Sequence, residues 1–260
     1  LYIGYGSDTE NQKWLLDDLS VYRNTITSTE IAVPKKGGDS SVEGGELYPG
    51  QVFFSDFERE NDGTTIYGKG SFIDFGGNFG RVFQNVGGAQ RSNYLILPED
   101  VLSHSAETKE LSIGVWVNAA NAGASADYMW APLFSAYASG PATDNGTPMF
   151  ICQYRGILQV NCNGWCDFTD AQNVAGTNGV YHDATDWLAD KGWHYYTVTL
   201  TETNAKVYFD GVLKNEWNVS GSGDGNVIGG LFSNGSDLKY ICLGGNQAWN
   251  WGDNDPGFAF

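Results

Sequence analysis

Short runs of alternating apolar and polar residues recur along this chain, and almost none is long enough to make a helix. The clearest is Leu111 to Asn118, where Leu111, Ile113, Val115 and Val117 fall on one face of a strand. Comparable runs bounded by Gly, Asn, Asp or Pro predict strands over Val52 to Phe57, Ser71 to Phe75, Arg81 to Val86, Tyr94 to Leu97, Met149 to Tyr154, Ile157 to Cys162, His194 to Thr201, Lys206 to Phe209 and Leu238 to Leu243. Asp210-Gly211, set between Val207 and Lys214, is a two-residue hairpin turn. Helical signals are confined to single turns at Pro98 to Leu102 and Ala184 to Asp190. The pattern predicts an all-β sandwich.

The two ends of the chain read as two copies of one segment. Near the start, Leu1 to Gly6 is followed by a polar loop and the run Trp14 to Tyr22. At the other end, Tyr240 to Gly245 is followed by the loop Asn246 to Gly257 and by Phe258 to Phe260. The second copy stops before any counterpart of Asp17 to Tyr22. A sheet lacking a strand exposes unpaired backbone and apolar core. Leu15 to Tyr22 is therefore expected to pair inside the sandwich, beside the strand that ends the chain or the one that opens at Val52. The expected division is a terminal hairpin at 1–31 that completes the sandwich, a linker at 32–47, and a domain at 48–260 that lacks its last strand. Three arrangements satisfy the pattern: fold-back in a monomer, exchange of the hairpin in a homodimer, and a cut across neighbouring repeats.

Composition narrows the partners. A chain of 260 residues with 41% hydrophobic content can bury a large core, and 35 Gly with 14% aromatics fit many turns between half-buried strands. A net charge of −17 with Lys+Arg 14 argues against nucleic acid and anionic membranes. No apolar run is long enough to span a bilayer, which excludes membrane insertion by a helix. Cys152 and Cys242 sit in apolar runs and read as buried thiols. Cys162 and Cys166 flank Asn163 to Trp165 and are spaced to close a small loop in an oxidising compartment.

Catalytic patterns are missing from the sequence. No strand carries a Glu-x-Asp-x-Glu set of carboxylates, and Glu58 and Glu60 run into the turn at Asn61 to Gly63. Asp17 and Asp18 are adjacent, so on a strand they point to opposite faces. There is no Gly-x-Ser-x-Gly, and the three His are scattered. Asp253 and Asp255, in the last loop, supply hard oxygen ligands suited to calcium. The stronger signal is aromatic. Of nine Trp, several lie in predicted loops, among them Trp130, Trp165, Trp187, Trp249 and Trp251. Flat rings flanked by Asn and Asp suit a sugar, which has an apolar C–H face and a polar rim. Trp249, Trp251, Trp165 and Trp130 are the stacking candidates, with Asn246, Asp253 and Asn163 as hydrogen-bonding partners. The competing reading of each ring is core or loop packing.

The order of these pieces resembles the laminin-G-like, concanavalin A-like lectin–glucanase domain family, in the versions found in surface proteins of gut Bacteroidetes. The residues that carry the resemblance are Val52 to Phe57, Tyr94 to Pro98, Leu111 to Val117, Gly192 to Val198, Lys206 to Gly211 and Ile241 to Gly244. Leu16 to Ile26 resembles the family's closing strand, here at the other end of the chain. The resemblance implies a concanavalin A-like jelly roll of two antiparallel sheets, closed by strands from the N-terminal segment, with ligand loops at its rim. It implies a second calcium site, Asp56 with Asp17 or Asp18, and a secreted, periplasmic or outer-surface location. The function expected is glycan binding without cleavage, through rim-loop aromatics. The alternatives are a protein-binding adhesion or structural domain, and a glycoside hydrolase whose carboxylates come from distant strands.

Overall fold

A computed structural model of the chain describes residues 14–22, 25, 50–58, 63–85, 88–89, 93–118, 132–137, 149–153, 158–161, 165–168, 192–218, 232, 238, 240–245 and 256–257. In chain order the first strands are β1 (Trp14–Tyr22), β2 (Gln51–Ser55), β3 (Thr65–Tyr67), β4 (Ser71–Asp74), β5 (Arg81–Asn85), β6 (Gly88–Ala89) and β7 (Tyr94–Ile96). The one-turn helix α1 (Ser105–Thr108) precedes β8 (Glu110–Asn118), β9 (Pro132–Tyr137), β10 (Met149–Gln153), β11 (Leu158–Asn161) and β12 (Trp165–Phe168). Then come β13 (Trp193–Thr201), β14 (Asn204–Phe209), β15 (Val212–Asn218), β16 (Tyr240–Leu243) and β17 (Pro256–Gly257).

Among the described residues these strands make two large antiparallel sheets. One has the order β15-β14-β13-β8-β1-β5-β4, with β2 also paired to β1; the other runs β12-β11-β10-β9-β16-β7-β3. A small ribbon joins β6 to β17. Alternate residues of both sheets point into one apolar core. Leu19, Val21, Phe83, Ile113, Val115, Tyr196 and Val198 enter it from the first sheet, and Leu95, Phe134, Phe150, Leu158, Ile241 and Leu243 from the second. The fold is an all-β jelly-roll sandwich of two antiparallel sheets, closed by a strand from the N-terminal segment.

That strand is central rather than peripheral. β8 flanks β1 on one side; on the other, β5 covers Trp14 to Leu16 and β2 covers Leu19 to Tyr22. Leu19 and Val21 are buried in the core, and Gln51 donates from Nε2 to Ser20 Oγ at 3.1 Å on the opposite face. A bulge between Asp17 and Ser20 sets Asp18 and Leu19 against Val115 alone, at the point where β1 changes partner from β5 to β2. Just beyond β1, the Thr25 amide and hydroxyl both donate to Glu110 Oε2, at 3.1 and 2.8 Å.

Most sequence-predicted strands are present with ends shifted by a residue or two. The Asp210-Gly211 turn joins β14 to β15 with φ of 51° and 75°, the doubly positive geometry that matches the twist of a hairpin. Two expectations are corrected. The helical turn expected at Pro98 to Leu102 becomes a run of turns that leads into α1 at Ser105, because Val101, Ser103 and Ser105 each donate three residues back. Trp165, expected in a loop, opens strand β12, since Asn161 and Trp165 pair across the short connection 162–164. The Ala184 to Asp190 turn lies outside the described residues. Cys152 and Cys242 are buried free thiols, as expected.

Candidate functional site

Two surface features on the sandwich present aromatic rings outward. The first grows from the β4–β5 hairpin. Its loop closes with the amides of Phe75 and Gly76 both donating to the Gly80 carbonyl, at 2.8 and 3.2 Å. Gly80 has φ of 54° and lies against the Glu58 carboxylate, whose Oε1 accepts the Arg81 amide at 2.7 Å. Strand β1 separates β5 from β8, yet the loop's rings touch β8 and β13, so the loop reaches across β1. Phe79, 4% exposed, stacks on Trp193 at 3.9 Å and 19° and meets Trp116 edge-on at 6.0 Å. Phe75, 46% exposed, stands edge-on to Trp193 at 5.6 Å and to Phe79 at 6.2 Å. Trp116 and Trp193 thus pack against the outer face of the first sheet, beside Tyr195 and Val82.

The second feature is on the other sheet. In the β3–β7 pair, Ile66 lies opposite Leu95 and both turn toward the core. The next pair, Tyr67 opposite Tyr94, turns away from it. The two phenol rings stack at 4.7 Å and 13°. Tyr94 is 2% exposed and Tyr67 is 51% exposed, so the inner ring is a floor and the outer ring presents its free face. Burial, with Cys242 and Tyr67 adding to it, holds the Tyr94 phenol above its ordinary range. Lys69, just past a turn at Gly68 with φ of 85°, donates its amide to Asn93 Oδ1 at 2.8 Å.

A third constellation joins two titratable side chains. His194 Nδ1 lies 2.7 Å from Asp210 Oδ2, and Asp210 Oδ1 accepts the Tyr195 amide at 2.8 Å. The Asp210 amide donates in turn to the Tyr195 carbonyl at 2.9 Å, and the imidazole stacks on Phe209 at 4.4 Å. The carboxylate thereby ties the tip of the β14–β15 hairpin to the start of β13. This is a structural clasp, and its chemistry is consumed by the backbone it holds.

Of the sequence-predicted site residues, Trp165 opens β12 and Asp18 lies at the bulge of β1. Asp56 follows β2 and its Oδ1 accepts the Glu58 amide at 3.1 Å, an Asx turn. The register that sets Leu19 opposite Ser55 leaves Asp18 one residue before that pair on β1 and Asp56 one residue after it, beyond the end of β2. Among the described residues, no three His, Cys, Asp or Glu side chains converge as a metal site. Trp249, Trp251, Trp130, Asn246, Asn163, Asp253 and Asp255 lie outside the described residues. Sequence reasoning passed over Tyr67, Phe75 and Phe79. Thr64 to Tyr67 lies outside every predicted strand, Phe75 is the last residue of the predicted strand Ser71 to Phe75, and Phe79 falls between two predicted strands.

No family model matches the chain, and no curated protein matches its sequence. Among solved structures, it is similar to domain 4 of AbnA, a GH43 extracellular arabinanase from Geobacillus stearothermophilus, in complex with arabinotriose. The identity is 16% and the TM-score 0.44, over 75% of this chain and 77% of that one. A likeness of that extent carries no argument about ligand or activity.

Proposed function

We propose that the chain is a non-catalytic carbohydrate-binding module of a secreted or cell-surface protein. The observation that carries this reading is a pair of surface rings, Tyr67 and Phe75, each well exposed and each backed by a buried ring, Tyr94 and Phe79 respectively. An aromatic face fixed in place offers a sugar ring apolar contact at little entropic cost, because the receptor side is already ordered. Trp249, Trp251 and Trp130, expected in rim loops, and Trp165, which opens β12, extend the same surface chemistry in this proposal with Asn246, Asn163 and Asp253. No described helix is long and apolar enough to cross a membrane.

A glycan array followed by calorimetry tests the reading. Saturable binding of an oligosaccharide, without release of reducing ends, supports it. Product release moves the protein to the hydrolases, and no binding to plant, algal or host glycans leaves a protein-binding adhesion domain. A structural calcium ion, at Asp18 and Asp56 or at Asp253 and Asp255, belongs to the same proposal. It is tested by whether calcium raises the thermal midpoint and chelation reverses the rise.

A further inference from the structure

We propose that Tyr67, laid flat on Tyr94, is a stacking site for one ring of a neutral glycan. The proposal rests on the carbohydrate-binding reading and names its site and ligand class. Three observations converge on it. The first is orientation. With one face of Tyr67 against Tyr94 at 4.7 Å and 13°, an exposure of 51% is close to what the other face alone provides. That face is flat, open and fixed by a buried partner, so binding orders almost nothing further.

The second observation is the setting. Thr65 is exposed two positions before Tyr67 on the same side of β3, about 7 Å along the strand. That spacing places a hydroxyl at the rim of a sugar ring centred over the phenol. Tyr67 adds its own hydroxyl at the other edge of the platform. Phe54 and Phe75, the other exposed rings among the described residues, carry no polar atom, and Phe75 meets its backing rings edge-on, so Tyr67 is the better platform.

The third is charge. A chain of net charge −17 with only 14 Lys and Arg sets up a field that repels uronates and sulfated sugars at long range. An uncharged pentose or hexose ring meets no such barrier. The core gains nothing from a ring at position 67, since the neighbouring Ile66 makes the inward contact of β3.

The test titrates the full chain with cellohexaose, xylohexaose, mannohexaose and arabinohexaose, and with tetragalacturonate and a heparin hexasaccharide as charged probes. The variants are Tyr67→Ala, Tyr67→Phe, Tyr67→Trp and the double variant Trp249→Ala/Trp251→Ala. Tyr67→Ala is expected to weaken the best neutral ligand by about tenfold or more. Tyr67→Phe and Tyr67→Trp should keep most of the affinity, which separates loss of the ring from loss of the fold. Three results overturn the platform while leaving carbohydrate binding intact. Tyr67→Ala binds as the parent does, the double Trp variant alone abolishes binding, or charged probes bind more tightly than neutral ones at physiological salt. No binding of any probe by the parent chain removes the carbohydrate-binding reading and the platform together.

Discussion

Replacing Asp210 by Ala removes the one carboxylate that holds the β14–β15 hairpin against β13. Its Oδ1 accepts the Tyr195 amide at 2.8 Å and its Oδ2 meets His194 Nδ1 at 2.7 Å. A hydrogen bond to a charged group contributes about 1.5–3 kcal/mol when dry. The Asp210 side chain is 40% exposed, so water recovers part of that, and about 2 kcal/mol for both bonds is a fair sum. The residue also sits at φ of 51°, a left-handed conformation that Asp tolerates and Ala resists by about 1 kcal/mol. The total is about 3 kcal/mol, or about 6–12 °C in thermal midpoint for a chain of this size. Asp210→Asn keeps an acceptor for the Tyr195 amide and tolerates the same φ, so it should cost only about 1 kcal/mol. Urea unfolding of both variants, each with and without His194→Ala, measures the difference and the coupling. If Asp210→Ala falls within about 0.5 kcal/mol of Asp210→Asn, the clasp contributes no more than the turn geometry and the reasoning fails.

Other perturbations follow from the packing. Gly114→Ala puts a methyl into the Tyr195 ring, and thermal unfolding should show a loss of about 1–3 kcal/mol; a neutral result means the ring moves aside freely. Phe79→Ala takes a buried ring from between Trp193 and Trp116 and should cost about 3 kcal/mol, with hydrogen exchange in β1 accelerating because the loop across it is loosened. Unchanged exchange in β1 would separate the loop from the strand beneath it. Burial pushes the Cys152 thiol up to about 12 from 9.0, with Tyr196 only 3.5 Å away. The folded state keeps a proton that the unfolded state gives up first, so this contribution is intact below pH 9 and declines as pH rises toward 12. Native Cys152 should resist iodoacetamide at pH 8 and react once urea unfolds the chain, and Cys152→Ala should flatten the alkaline loss of stability.

The parts of the fold legible in the sequence are those with a local cause. Leu111 to Val117 alternates cleanly because β8 is buried on its core face, and Asp210-Gly211 announces a turn whose φ values favour those residues. The N-terminal run was legible because its apolar residues demanded a sheet, and Leu19 and Val21 do reach the core. What stayed hidden depends on non-local neighbours. Phe75 and Phe79 gain meaning only once β1 separates β5 from β8 and the loop must cross it to reach Trp193. Pro132 to Tyr137 opens on a residue that discourages a strand, and β16 supplies the pairing that makes β9 one. Tyr67 sits on a three-residue strand whose partner, Tyr94, comes after two further strands of the other sheet.

The central place of β1 also sets a clock on synthesis. The ribosome releases Trp14 to Tyr22 long before their partners on β8 exist, since roughly 90 to 100 residues lie between them. At about 5–20 residues per second, the β8 edge of this apolar strand stays unpaired for on the order of 5–20 s, although β2 and β5 emerge sooner on its other edge. Through that interval its backbone donors and acceptors can pair with whatever edge is nearby, including the same strand on a neighbouring nascent chain. Asp17 and Asp18 put two like charges in the middle of that segment, so two copies lying side by side would repel. The acids at the bulge thereby guard a newborn strand during the seconds when the finished sheet cannot yet shelter it.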